Sequence, residues 1–423
     1  MDNKTYLVIK DYLRIIIKDT EFEDNLFAVG GCCRDEILGN DIKDLDLVVS
    51  LNNGGIKFAE WLEKNHYTKG TIVTYPRFGT AMFRLKDFPD EELEVVQTRT
   101  EIYNSDSRKP TTTYGSLKED CMRRDLTINA IYYDISNSKM IDVCGRSFDD
   151  IKNKVIVTPC DPDKTYIDDP LRIMRCIRFS CKLGWDIDKN VFESMKRNVD
   201  RLSIISKERI KDEVMKIFKS NNTLKGLCYI RDINAMKYIF PNMSMYCGPT
   251  CIENNFKNID TLKDPYVKLT VFNHSNPDLD KQLYELKFST NEIRIILNYI
   301  KLFNYSIHCN TLSDIREILY LCKSKDVFNN VYDMYKVIGF HKRYIEYAHN
   351  NIDTDESLSI MFKYKFSLNG NDIMNIFDIH PSPEVKELID KMHEFVYENP
   401  YLTKDELIEK LKIYKETKSD EQW

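Results

Sequence analysis

Strand-like runs stop near residue 149 of this 423-residue chain, and beyond that point helical periodicity dominates. The break confines the sheet to the first third and leaves the rest to bury itself helix against helix. Before the break, runs at 26–29, 45–50, 71–74, 80–85 and 93–98 read as strands, with a helix at 58–64. Residues 131–135 and 140–143 read as a hairpin turning at Ser136-Asn137-Ser138. The polar stretch 104–119, rich in Ser, Thr, Lys and Pro, predicts a mobile loop. Pro241 and Pro265 mark a joint in the helical part. Thr403-Lys404-Asp405-Glu406 matches a capping box opening a terminal helix. The resulting segments are 1–148, 149–240 and 241–423.

Composition narrows the class. The hydrophobic and charged fractions, 42% and 30%, are those of a globular chain, and no apolar run is long enough to span a bilayer. Lys10, Asp11 and Arg14 interrupt the first apolar residues, which predicts an amphipathic helix rather than a signal peptide. Twelve cysteines include no C-x-x-C pair; Cys32 and Cys33 are adjacent, and Cys247 and Cys251 lack companion ligands. They read as reduced small hydrophobes in a cytoplasmic protein. The net charge of −6 neither announces nor excludes a nucleic-acid partner, because binding depends on local patches. Residues 196–219 carry eight Lys or Arg against four Asp or Glu. That stretch reads equally as an RNA-facing patch or as a solvated helix surface with Ile210, Val214, Ile217 and Phe218 turned inward.

Gly30-Gly31-Cys32-Cys33-Arg34-Asp35 follows the apolar run at 26–29. Two glycines let the backbone approach a ligand, and a helix opening there offers free N–H groups to phosphate. Asp44 and Asp46 then sit two apart in a strand-like run, which puts both carboxylates on one face. Such a pair suits magnesium ions bridging the phosphates of a nucleotide. Alone it is no more than a solvated strand edge; joined to the glycine turn it points to nucleotidyl transfer.

Arg123 and Arg124 stand beside Asp125, with Asn129 four residues on. Two arginines can hold a polyphosphate, and Asp125 and Asn129, on one face if helical, can take a ribose hydroxyl. A surface salt-bridge turn is the plainer reading. In Asp168-Asp169-Pro170-Leu171-Arg172-Ile173-Met174-Arg175-Cys176-Ile177-Arg178-Phe179, Asp169-Pro170 reads as a helix cap with proline at the first helical position. Arg172, Arg175 and Arg178 form a cationic stripe beside apolar Leu171, Met174 and Ile177. Asp169 and Arg172, three apart, are expected to converge. A carboxylate accepts from an exocyclic amine and a guanidinium donates to a ring nitrogen, so the pair admits C and A. Against U and G it leaves groups unpaired, at roughly 1–3 kcal/mol each.

Taken in order, these four motifs closely resemble the class II CCA-adding enzymes, the tRNA nucleotidyltransferases of the polymerase beta superfamily. Weaker similarity continues at 205–210, 368–374 and 381–385. The resemblance implies an α/β catalytic head with a mixed five-stranded sheet over 1–148. A helical neck over 149–240 and a helical body and tail over 241–423 would follow, with tRNA bound along the helical part. It implies addition of CTP, CTP and ATP to tRNA 3′ ends with two magnesium ions on Asp44 and Asp46. Gly31, Arg34 and Arg124 would contact the nucleotide beside Gly30, Asp169 and Arg172 would read its base, and Arg175 and Arg178 would support it. Glu94 is a candidate further carboxylate. Many bacterial relatives carry a His-Asp phosphohydrolase module after the neck; this chain has seven histidines and no His-Asp dipeptide, so 242–360 is expected to lack it. Bacterial-type poly(A) polymerases share the motifs but usually carry an arginine-rich segment where 75–81 has one arginine. Enzymes adding CC or A alone share them too. A non-catalytic RNA-binding protein is the reading from another class, and intact Asp44 and Asp46 argue against it.

Overall fold

The structure, a computed structural model, describes residues 1–104, 107–243, 251–340 and 342–420, and Cys247 and His341 lie outside them. It divides into two compact units, Met1–Ser244 and Met245–Trp423.

In the first unit α1 (Asn3–Ile16) is capped by Asp2, which accepts from the Thr5 N–H at 2.7 Å, and it buries Tyr6, Ile9 and Leu13. Buried Lys10 reaches Glu36 at 2.7 Å and stands 3.7 Å over the Tyr133 ring, which pins this helix to the sheet. The next elements are β1 (Leu26–Val29), α2 (Gly31–Leu38), β2 (Asp46–Val49), α3 (Gly54–Lys64), β3 (Val73–Tyr75), β4 (Thr80–Leu85) and β5 (Phe88–Gln97). After them come β6 (Arg99–Asn104), β7 (Ser107–Tyr114), α4 (Leu117–Met122), β8 (Ile131–Asp134) and β9 (Lys139–Asp142).

One sheet runs β3-β4-β5-β2-β1-β8-β9, with β2 and β5 parallel and the other neighbours antiparallel. The sheet is therefore mixed, but it has seven strands where the resemblance implied five. The hairpin β8–β9 supplies the difference, because pairing β8 to β1 satisfies the backbone groups on that side of β1. The stretch expected to be a loop at 104–119 is also corrected. β6 and β7 pair as a separate antiparallel ribbon, and α4 follows behind a Ser116–Glu119 capping box. Thr111-Thr112-Thr113 are polar yet β-branched, so strand propensity prevails without the apolar alternation of a half-buried strand.

Beyond the sheet come α5 (Ser147–Lys152), α6 (Pro162–Asp168), α7 (Leu171–Leu183), α8 (Lys189–Asn198), α9 (Lys207–Phe218) and α10 (Thr223–Asp232). A short parallel pair, Val155–Ile156 with Asp186–Ile187, interrupts the helical region. Helix α7 buries Leu171, Ile173, Met174 and Ile177, and α9 buries Ile210, Val214, Ile217 and Phe218. At Gly226 of α10 a Cβ would stand 2.6 Å from both Cys181 Sγ and Ile217 Cγ2, so glycine lets this helix close onto α7 and α9. At least half of the eight cations of 196–219 pair with acids of the protein: Lys196 with Glu193, Arg197 with Asp163, Arg209 with Asp169 and Lys216 with Glu213.

The second unit is helical, with long members at Thr290–Ile307, Leu312–Cys322, Lys325–Ile338, Pro383–Glu398 and Lys404–Asp420. Capping boxes open two of them, at Ser289–Glu292 and Thr311–Asp314, and the Thr403–Glu406 box forms as read. Arg316 donates to the carbonyls of Tyr397 and Glu398, tying Leu312–Cys322 to the end of Pro383–Glu398. Among the described residues no helix is long and apolar enough to cross a membrane, and ten cysteines are free thiols.

Candidate active site

The site grows from the turn between β1 and α2. Gly30 takes φ +87, a conformation side chains rarely adopt, and a Cβ there would stand 3.7 Å from Asp46 Oδ2 and 3.8 Å from Arg124 Nη1. The glycine thus brings a β-strand end, a carboxylate and a guanidinium within one residue's reach. Asp46 begins β2 and, in the parallel ladder, stands in register with Glu94 of β5. Asp44 precedes the strand rather than lying in it, and both aspartates are exposed.

Two clefts meet at Asp46. One, of about 530 Å³, is lined by Asp46, Glu94, Tyr75, Phe78, Arg99, Arg123 and Arg124 among others. The second, of about 470 Å³, takes in Gly31, Arg34, Asp35, Asp44, Asp46 and Lys182. The protein packed around Asp46 raises its carboxyl above the usual range, Glu94 and then Asp44 add to the effect, and Arg124 opposes it. Its negative charge is therefore poorly compensated in the protein alone. Among the described residues no three His, Cys, Asp or Glu side chains converge as an all-protein metal cage. Two hard carboxylates plus a phosphate-bearing substrate fit magnesium, which is commonly bound that way.

The arginines, by contrast, are already seated. Arg34 is buried, forks onto Asp35 at 3.0 and 2.7 Å, and donates to Asn129 Oδ1 at 2.5 Å. Arg124 and Arg123 share the wholly buried Asp120, at 3.0 and 2.5 Å, and Tyr132 donates its hydroxyl to the same carboxylate at 2.7 Å. Burial alone would push the Asp120 carboxyl up; Arg124, Arg123 and Tyr132 overcome it and hold the group at about 2. Asp125 accepts from Asn129 at 3.1 Å and from Arg175 of α7 at 2.6 Å. Burial opposes its charge, yet Arg175 leads the groups that keep its carboxyl low.

The predicted residues therefore separate into groups. Gly31, Arg34, Asp44, Asp46 and Arg124 line the clefts, Gly30 lies beside Asp46 and Arg124, and Asn129, Asp125 and Arg175 form a chain from Arg34 to α7. Asp125 and Asn129 meet as expected but not on an α-helix; a 3₁₀ turn, Thr127–Asn129, brings them together. Asp169 departs from its expected geometry. It lies in the extended link between α6 and α7, at φ −139, so helical three-residue spacing to Arg172 does not apply. Its carboxylate accepts from the Leu171 N–H at 3.1 Å and stands 3.4 Å from Arg209, while Arg172 is 3.6 Å from Glu101. Pro170 caps α7 instead of occupying its first turn, and Arg178 pairs with Glu213.

Sequence reasoning missed four contributors. Asp120 anchors both arginines, and Lys182 stands 3.6 Å from Asp35 at the second cleft. Tyr132 braces Arg124, and the buried Phe179 ring is flanked by Arg178, Arg34 and Arg175 at 4.0, 5.2 and 5.8 Å. Asp120 carried a signal, since it precedes Arg124 by one helical turn.

Comparison with known proteins places this geometry. The Poly A polymerase head domain pattern matches residues 26–157, and a pattern for the probable RNA- and SrmB-binding site of polymerase A matches 184–247. A third, tRNA nucleotidyltransferase domain 2, matches 266–411. The CCA-adding enzyme of Ligilactobacillus salivarius is 28% identical over 417 residues, covering 97% of each chain. The mitochondrial CCA tRNA nucleotidyltransferase of Candida glabrata is 32% identical over 269 residues, 59% of this chain and 49% of that one. The chain spans about half the length of the yeast relatives it matches. The Bacillus stearothermophilus CCA-adding enzyme, solved in complex with CTP, has the same fold, with TM-score 0.76 and 19% identity over the whole of both chains.

Proposed function

The chain belongs to the family of class II CCA-adding enzymes and poly(A) polymerases, and from that premise we propose that it adds CCA to tRNA 3′ ends. CTP, CTP and ATP would be consumed in turn without a nucleic-acid template, in the cytoplasm, where free thiols persist. The observation that carries the reading is the position of Asp46, in register with Glu94 at the junction of two clefts and beside the N-terminus of α2.

Each group has a part. Asp44 and Asp46 would hold two magnesium ions, with Glu94 as neighbour. When bound, the metal supplies charge neutralisation of the phosphates and a more acidic 3′-hydroxyl. The α2 N-terminus, Gly30, Gly31 and Lys182 would take the triphosphate, and Arg34 and Arg124 face it from fixed positions. Asp125, already hydrogen-bonded to Asn129, would face the ribose. Asp169 and Arg172 would read the Watson–Crick edge, and Arg175 and Arg178 would hold α7 in place for it. The acceptor hydroxyl attacks the α-phosphorus in line, and pyrophosphate leaves.

The test is incorporation of labelled CTP or ATP into tRNA lacking its last one, two or three nucleotides. Completion to CCA and no further is the expected result. Long A tails would instead select the poly(A) reading, and addition stopping at CC or requiring it would select a partial enzyme. Absence of any incorporation would leave an RNA-binding protein.

A further inference from the structure

Resting on that reading, we propose that Tyr75 and Phe78 form the platform on which the 3′-terminal base of the RNA acceptor stacks. An in-line displacement needs the attacking and leaving groups on opposite sides of the phosphorus, so the site needs two approaches. Asp46 joins two clefts of different chemistry. The cleft holding Gly31, Arg34 and Lys182 suits a triphosphate, while the other offers Tyr75, Phe78, Thr80 and Met82 beside Arg99 and Arg123. Rings beside guanidinia suit a nucleobase with a single backbone phosphate.

The rings are held ready. Tyr75 ends edge strand β3, and Pro76–Phe78 is a 3₁₀ turn, in which residues three apart eclipse. Proline fixes the entry and Gly79, at φ +60, fixes the exit; a Cβ there would come within 2.6 Å of the Gln97 side chain. The Gln97 N–H donates to the Gly79 carbonyl at 3.1 Å, and its side-chain oxygen accepts from the Asn53 N–H at 2.7 Å. Tyr75 and Phe78 are each 45% exposed, neither has an aromatic partner among the described residues, and the Arg77 guanidinium stands 5.7 Å from the Phe78 ring centroid. A pair of rings seated on a proline–glycine turn in the cleft, free of aromatic partners among the described residues, is a surface kept open for a flat ligand. The terminal base of the acceptor changes with each addition, and stacking on rings tolerates any base.

The test uses the full chain and a tRNA acceptor carrying 2-aminopurine as its 3′-terminal base, whose fluorescence is quenched on stacking. The wild-type protein should quench the probe. The Tyr75→Leu/Phe78→Leu double variant, which keeps apolar bulk, should lose the quench and raise the acceptor KM about tenfold or more per ring. The nucleotide KM should stay unchanged, and Tyr75→Phe should behave as wild type. Quenching that persists in the double variant overturns the proposal, as does no quenching by the wild type or a rise confined to the nucleotide KM. A wild-type protein that quenches but adds nothing would defeat the proposed function and leave the platform standing. Normal addition with an unaffected double variant would do the reverse.

Discussion

At the mouth of β2 the carboxylates Asp44, Asp46 and Glu94 have no cation in salt-bridge contact among the described residues. Farther along the chain Asp120 holds two guanidinia and Asp125 holds a third. The contrast teaches how one sheet end uses acids for two purposes. Where arginine meets the acid, the pair is rigid and its guanidinium is presented from a fixed place. Where nothing meets it, charge is left for something that binds. The largest effects should come from removing each kind in turn.

Asp46→Asn should reduce CTP incorporation on the order of a thousandfold, since the several kcal/mol of metal-assisted stabilisation would be lost. Its thermal midpoint should stay level or rise slightly, because a crowded negative charge has gone. A variant retaining a tenth of wild-type turnover would break the contrast. Asp120→Asn should do the opposite to stability and cost about 3 kcal/mol in urea unfolding, by stripping a buried acid from Arg123 and Arg124. An unchanged midpoint would show that the arginines hold themselves.

Acid titration separates the two kinds again. The Asp120 carboxyl sits at about 2, below its value in an unfolded chain, so its stabilisation is complete above roughly pH 4 and fades as pH falls toward 2. The loss should be roughly 2 kcal/mol, and Asp120→Asn should flatten that limb of the stability curve. Asp46 carries the opposite sign: its raised carboxyl binds a proton more tightly in the fold, so protonation favours the folded state. The smallest effect concerns the base. Asp169→Ala should weaken discrimination of CTP against UTP about tenfold, while Asp169→Ser, which can still cap Leu171, separates capping from reading. Unchanged selectivity in both would place base reading on other residues.

Much of this was legible in residue order. The strands at 26–29 and 80–85 fell where apolar runs lay, and Gly30, Arg34 and Asp46 met because a turn and two adjacent strands left few alternatives. What escaped had physical reasons. The β6–β7 ribbon is too polar to show alternation, and the sheet's sixth and seventh members depended on a pairing between residues over a hundred positions apart. Asp169 lies in the extended link between two helices, where helical i, i+3 spacing to Arg172 does not hold, and a break of that kind leaves no mark in residue spacing. The i, i+4 spacing of Asp120 to Arg124 is visible in sequence, but its burial is not, because a buried acid looks there like any surface one.

The position of β1 in the sheet also bears on how the chain is born. β1 pairs with β2 through Leu26↔Val49, a local closure, but its other side waits for β8 through Phe27↔Asp134. On a ribosome, at the usual elongation speeds, the second partner follows the first by roughly 5–15 s. For that interval one side of β1, the strand that leads into the glycine turn, is an open edge of buried-type residues, a natural hold point for a chaperone.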